Sequence, residues 1–333
     1  MTKRAVGIEL ARQRAHELLH RTPLAKNQPA PIETLAEALG VELIITRLDG
    51  ASAQLIEGAH SATILLSDRL TDAADRRWAI AHELGHMLLD HPALPAAELC
   101  RPRPHPQTAK QRDGEAESDA FASALLIRPE AISEIRDVSP MTLGAPALLA
   151  ERCRVPLTAA AIRITEESLR SCAAVLSERG TIRWVSPSWR FFTRYGATLA
   201  PGQPIPSSST ARHYRDRSAI PWEPCISGRN AWIDRPDWVL VFEHSMPTSE
   251  PDTVLTMLWC LDELTTTTSA PWLHRAPKFV RDCMLDKLRA AEEIRRTRKA
   301  LIDIAAQSPV PDDTTLYFAP DGSYARRGFL KLR

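Results

Sequence analysis

The sequence predicts an α+β protein of more than one domain. Three observations carry this. An apolar helical segment over residues 72–89 encloses His82-Glu83-Leu84-Gly85-His86, short strand-like runs precede it, and the composition changes after Cys172, beyond which seven of the eight tryptophans lie. A chain of 333 residues is long enough for two or three domains with a sizeable core. The expected divisions are a helical domain with a small sheet over 1–138, a helix-turn-helix-like segment over 139–170, and an α/β domain over 171–333 ending in an amphipathic helix.

Residues 5–20 read as a helix, and 31–40 as a second one closed by Gly40. The runs 41–46 and 62–66 are short, apolar and bounded by Gly, Asp or Ser, so they suit a small sheet beside the 72–89 helix. Prolines between Pro92 and Pro106 predict a stiff extended loop. Residues 114–127 lack Pro and are rich in helix formers, which predicts a helix, and 139–168 holds two short helices arranged like a helix-turn-helix unit. Strand, turn and strand follow over 173–185, with further strands at 237–243 and 253–260. Lys278–Ala306 has helical apolar spacing and a basic face, fitting a helix that packs on the sheet, pairs two chains as a homodimer, or extends a basic surface.

The chemistry concentrates in the 72–89 helix. His82 and His86 stand one turn apart on one face, so both imidazoles reach one Zn²⁺ while Glu83 lies beside it as a general base. The same five-residue pattern occurs at His16-Glu17-Leu18-Leu19-His20. There Arg12, Arg14 and Arg21 flank the histidines, and cations oppose both burial and metal binding, so this copy reads as an amphipathic surface helix. A third ligand is expected from the 114–127 helix. Glu115, Asp119, Ala122 and Leu126 share one face, whereas Glu117 projects about 200° from Glu115 at the helical period. Glu115 is the expected metal ligand, with Asp119 placed to accept the outer N–H of a ligand histidine.

Two segments together, A-H-E-L-G-H-M-L-L and E-A-E-S-D-A-F-A-S-A-L-L-I-R-P, resemble the ImmA/IrrE family of metallopeptidases over about residues 5–165. The resemblance implies a zincin-like helical peptidase domain, with His82, His86 and Glu115 as zinc ligands and Glu83 as catalytic base. It implies as substrate a helix-turn-helix repressor, often encoded beside the peptidase, whose cleavage switches on stress, mobile-element or phage-defence genes. The sequence departs from the family pattern at Ser118, where the family has Ala, and at Ile127-Arg128-Pro129. The antiparallel strands after Cys172 suggest a PAS- or GAF-like sensor, and a GAF-like domain follows the peptidase in some members of that family.

Three features bear on control and location. Cys100, in the proline-rich loop between the two zinc-binding helices and close to Arg101 and Arg103, is a candidate inhibitory ligand, since a thiolate at the water position would silence the metal; His105 and His91 are weaker candidates. In the sensor region, Arg183, Trp184, Trp189, Arg190, Arg194, Arg212 and Arg215 interleave aromatics with guanidinium groups, the combination that holds single-stranded DNA, which makes a DNA-damage or invasion signal the expected activator. The formal charge of +1 gives no general affinity for nucleic acid. The absence of a membrane span or signal peptide and the six scattered cysteines lead to the expectation of a soluble cytoplasmic protein. The competing expectation is a non-catalytic DNA- or ligand-binding transcriptional regulator in which the zinc is structural.

Overall fold

A computed structural model describes residues 3–21, 29–58, 61–91, 109–133, 135–136, 141–195, 199–220, 223–227, 231–233, 240–261, 316–318 and 324–326. The chain is a mixed α+β protein whose contacts group it into two compact units, 1–169 with 186–189, and 170–185 with 190–333.

In the first unit, α1 (Lys3–His20) and α2 (Ile32–Ala38) lead into a three-stranded sheet of β1 (Val41–Thr46), β2 (Ala53–Glu57) and β3 (Ala62–Ser67). The strand order is β1-β3-β2, with β1 parallel and β2 antiparallel to β3. Gly40, at φ 73°, turns the chain out of α2 into β1, a backbone conformation that glycine adopts without a Cβ penalty. The short edge strand β2 has no counterpart in the sequence expectation; its Ala53-Gln54-Leu55-Ile56-Glu57 is too short and too mixed to signal a strand alone.

Helix α3 (Ala73–Leu88) opens on Asp72, whose carboxylate accepts the Ala74 N–H at 2.6 Å. Such a cap is worth about 1 kcal/mol. One face of α3, with Ile80, Ala81 and Leu84, is wholly buried. Arg77 on the same helix is buried too, and its guanidinium donates to the Ala30 carbonyl at 2.7 Å and to Glu33 and the Arg154 carbonyl at 3.4 Å each. These bonds satisfy a charge that burial would otherwise make costly, and they tie α3 to both the start of α2 and the turn that follows α6.

Helix α4 (Ala109–Leu126) packs against both α1 and α3. On α1 the small residues Gly7, Ala11 and Ala15 recur every fourth position, and the two alanines are fully buried. After the short α5 (Pro129–Ser133) come α6 (Gly144–Cys153) and α7 (Leu157–Glu167), joined by a turn in which Arg154 takes φ 52°. This pair lies within the first unit. Helix α7 buries Ala159, Ala160, Ala161, Arg163, Ile164 and Thr165, and its one exposed residue is the acidic Glu166, which pairs with Arg12 at 3.0 Å. A helix that reads a DNA groove needs an exposed, non-acidic face, so α7 serves as packing.

The second unit is built on a five-stranded sheet in the order β5-β4-β8-β7-β6: β4 (Cys172–Glu178), β5 (Thr181–Pro187), β6 (Cys225–Ile226), β7 (Leu240–Pro247) and β8 (Thr253–Leu261). The pairings β4–β8, β7–β8 and β6–β7 are antiparallel. Arg179 and Gly180, at φ 49° and 80°, make the tight turn between β4 and β5. Two successive left-handed residues match the twist of a hairpin. Phe191 of α8 (Trp189–Tyr195) enters a core with Val175, Ile182, Trp232 and Leu258. A small hairpin, β9 (Leu316–Phe318) with β10 (Tyr324–Arg326), completes the described elements. The expected loop 92–106 and helix 278–306 lie outside the described residues. Among the described residues no helix is long and apolar enough to cross a membrane.

Candidate metal centre

The i, i+4 spacing on α3 brings His82 Nε2 and His86 Nε2 to 3.1 Å from each other. Glu115, in the second turn of α4, closes the triangle: its carboxylate oxygens lie 3.3 Å from His82 Nε2 and 3.8 Å from His86 Nε2. Donor atoms from these three residues all fall within 4.8 Å of one another, the one such group among the described residues. Ligands about 2.0–2.1 Å from a tetrahedral ion stand about 3.3 Å apart along the tetrahedron edge. The donor set and its spacing therefore fit a zinc-sized ion.

Close approach of α3 and α4 makes this possible, and Gly85 permits it. A Cβ on Gly85 would lie 3.1 Å from the Ser118 Cα and 3.2 Å from Phe121. Glycine in a helix interior costs about 0.5–1 kcal/mol relative to Ala, and here the missing carbon is what lets Glu115 and Asp119 stand beside the histidines. Sequence reading passed over Gly85, although its place between Leu84 and His86, facing the second helix, was a signal available there.

The outer nitrogens of both histidines are engaged. His82 Nδ1 lies 2.9 Å from Asp119 Oδ1, the contact expected of that carboxylate. His86 Nδ1 lies 3.1 Å from His91 Nδ1, and His91 Nε2 lies 2.8 Å from Glu117 Oε2. So Glu117, on a different face of α4 from Glu115, reaches the site through His91.

The electrostatics divide the two histidines. Burial opposes charge on His82, but hydrogen bonds from Asp119 and Glu115 outweigh it and push the pKa up to about 10. Burial, and then the charge on His82, hold His86 down at about 4. Two imidazoles this close to one carboxylate accommodate positive charge readily, though not as two protons.

Glu83, the next residue on α3, does not join the donor triangle; its Oε2 accepts the Leu55 N–H from β2 at 3.0 Å. That N–H belongs to the edge strand, so β2 fixes the carboxylate beside the site. Among the described residues the first H-E-x-x-H copy assembles no comparable donor group. His16 and His20 belong to α1, where Glu17 pairs with Arg14 at 3.2 Å and with Gln13 at 3.3 Å.

Cys100 and His105 lie outside the described residues, whereas Cys153, Cys172, Cys225 and Cys260 form no disulfide among the described residues. Of the residues expected to hold nucleic acid, Arg183 pairs with Glu178 and Glu250, and Arg212 donates to the carbonyls of Ile205 and Pro206. Arg215 sits over the Tyr214 ring at 5.6 Å, and Trp184 is partly buried. Arg190 and Arg194 on α8 are exposed, and Trp189 is 75% exposed.

Residues 36–165 match the model of a peptidase family described as the IrrE N-terminal-like domain. The match begins after α1, so it takes in the second H-E-x-x-H copy and not the first. This stretch is thus similar to the IrrE-like metallopeptidase domain, a class that implies a bound metal. Among solved structures, a Mycobacterium tuberculosis transcriptional regulator aligns at 12% identity with a TM-score of 0.46, over 79% of this chain and 80% of that one. No protein of curated function matches the sequence.

Proposed function

We propose that the chain is a zinc endopeptidase that cleaves a helix-turn-helix repressor, derepressing stress or phage-defence genes, under control of its C-terminal unit. The carrying observation is the triangle of His82, His86 and Glu115 at tetrahedral edge distances, with Glu83 held beside it by the Leu55 N–H. His82, His86 and Glu115 are the residues that would hold zinc. When bound, zinc supplies Lewis acidity, polarising a carbonyl and making water acidic near neutral pH.

The chain's own groups do the rest. Glu83 accepts a proton from the attacking water and delivers it to the leaving amine, a role suited to a carboxylate that is not itself a ligand. Asp119 takes the His82 Nδ1–H and leaves Nε2 bare toward the metal. The Leu55 N–H, donated to Glu83 Oε2, holds that carboxylate beside the histidines.

A five-stranded antiparallel sheet supports reading the second unit as a PAS- or GAF-like sensor. Single-stranded DNA is the proposed signal, and exposed Arg190, Phe192 and Arg194 on α8 support it. Arginine–phosphate contacts make such binding weaken steeply with salt.

The test incubates the full chain with the repressor encoded beside it, with and without a zinc chelator, and with single-stranded DNA at low and high salt. Chelator-sensitive cleavage that DNA stimulates at low salt is expected. An intact repressor in the presence of zinc and DNA would favour the non-catalytic regulator.

A further inference from the structure

The two zinc-site histidines are steadied in different ways. His82 meets a carboxylate directly, whereas His86 meets a third histidine that meets a carboxylate. This second arrangement is built by the backbone where α3 ends. Leu89 N–H donates to Gly85 O at 3.1 Å, Asp90 takes φ 52°, and His91 N–H returns to the His86 carbonyl at 3.0 Å. A continuing helix would carry residue 91 away from the metal face; this turn brings it back, with its ring 5.2 Å from that of His86 in edge contact.

Proton placement follows from the acceptors. The Glu117 carboxylate accepts the His91 Nε2–H at 2.8 Å, so in neutral His91 the bare nitrogen is Nδ1. Facing it at 3.1 Å is His86 Nδ1, which must then carry the hydrogen, leaving His86 Nε2 bare on the side where His82 and Glu115 converge. Ser118, fully buried, brings its hydroxyl to 3.3 Å of His91 Nδ1 and can donate there as well. A separate feature of the fold makes room for Glu117: α1 has Gly7 against it, and a Cβ at that position would collide with Glu117 Oε1.

Resting on the zinc reading above, we propose that His91 and Glu117 are positioning residues: they fix the Nδ1–H tautomer and the ring orientation of His86 so that it presents Nε2 to the metal. The relay spans three elements, with Glu117 on α4, His91 after α3, and Gly7 on α1 leaving the space.

The test uses the full chain and three measurements: zinc affinity by competition with a chromogenic chelator, the melting temperature of the metal-free protein, and the histidine tautomers by long-range ¹H–¹⁵N correlation at pH 8. His91→Phe and Glu117→Ala are expected to weaken zinc binding by about 10- to 100-fold, the usual effect of losing such a partner. His86 should then shift from the Nδ1–H toward the Nε2–H tautomer. Glu117→Gln, whose amide oxygen still accepts the His91 N–H, should restore most of the affinity, and Gly7→Ala should reproduce part of the loss by displacing the Glu117 carboxylate.

Unchanged affinity in both His91→Phe and Glu117→Ala would overturn the relay. So would a loss of affinity with an equal fall in metal-free stability and no change in the His86 tautomer. If His91→Phe fails to fold, Glu117→Ala, whose side chain is partly exposed, carries the same decision. A wild-type chain that binds no zinc would instead overturn the underlying reading.

Discussion

Helices α1 and α3 carry the same five-residue pattern, and among the described residues only the α3 copy has a third candidate metal ligand beside it. In α3 the sequence between the histidines is Glu-Leu-Gly, in α1 it is Glu-Leu-Leu, and the difference at the fourth position is decisive. Gly85 lets α4 approach until Glu115 reaches both imidazoles. In α1 it is Gly7, more than two turns before His16, that stands against Glu117 of α4, and Glu17 pairs with its own helix. Among the described residues, His16 Nε2 is buried with no hydrogen-bond partner. Two histidines one turn apart are thus only half a site; the second helix and the spacing that admits it supply the rest.

The comparison is broken most directly at its two glutamates. Glu83→Gln should fold and retain zinc while losing about 10²-fold or more in repressor cleavage, whereas Glu17→Gln should cleave at the wild-type rate. Gel-based kinetics on both variants decides the matter, and equal loss in the two would erase the distinction drawn between the helices.

At the level of the metal, Glu115→Ala should strip most of the zinc and His16→Ala should leave it in place, since only the first removes a donor atom. Elemental analysis of the purified variants is the check. Retained zinc in Glu115→Ala would mean that some other group completes the donor set.

A finer cut falls on Asp119, which has no counterpart in α1. Asp119→Ala should lower zinc affinity by about 10-fold or somewhat more, because His82 keeps its place but loses the acceptor that orients it. Chelator competition measures this, and an affinity indistinguishable from wild type would make the contact incidental.

The smallest expected effect sharpens the comparison at the fourth position itself. Gly85→Ala gains about 0.5–1 kcal/mol of helix propensity but must push against the Ser118 backbone at 3.1 Å, and overpacking of this kind costs about 1–3 kcal/mol. Overpacking should prevail, lowering the melting temperature by a few degrees. A rise in melting temperature would show that α4 can shift aside.

Much of this architecture was legible in the sequence for reasons that are local. Helix periodicity and Gly40 marked α2, α3 and α4 to within a few residues, and spacing on a helix was enough to choose Glu115 over Glu117 as the residue facing the histidines. What escaped depended on the third dimension. His91, five residues beyond His86, lies off the ligand face at helical spacing, whereas in the fold Asp90 enters the left-handed region and brings it back. β2 was missed because its role comes from pairing with β3 and from one N–H aimed at Glu83, neither of which has a compositional signature. Ser118, read as a harmless departure from an alanine, turns out to touch His91.

Helix α4 lies between two glycines, Gly7 behind Glu117 and Gly85 beside Ser118. An alanine scan, which finds important positions by taking atoms away, adds an atom at these two, as at any glycine, and so tests crowding there. At 85 the nearest atom is backbone, so added bulk moves the helix, whereas at 7 it is the end of a flexible carboxylate, so added bulk moves that side chain. Engineering a wider or tighter donor triangle would therefore mean moving the α4 backbone, since the Ser118 Cα is the atom nearest a carbon added at 85, rather than changing the ligands themselves.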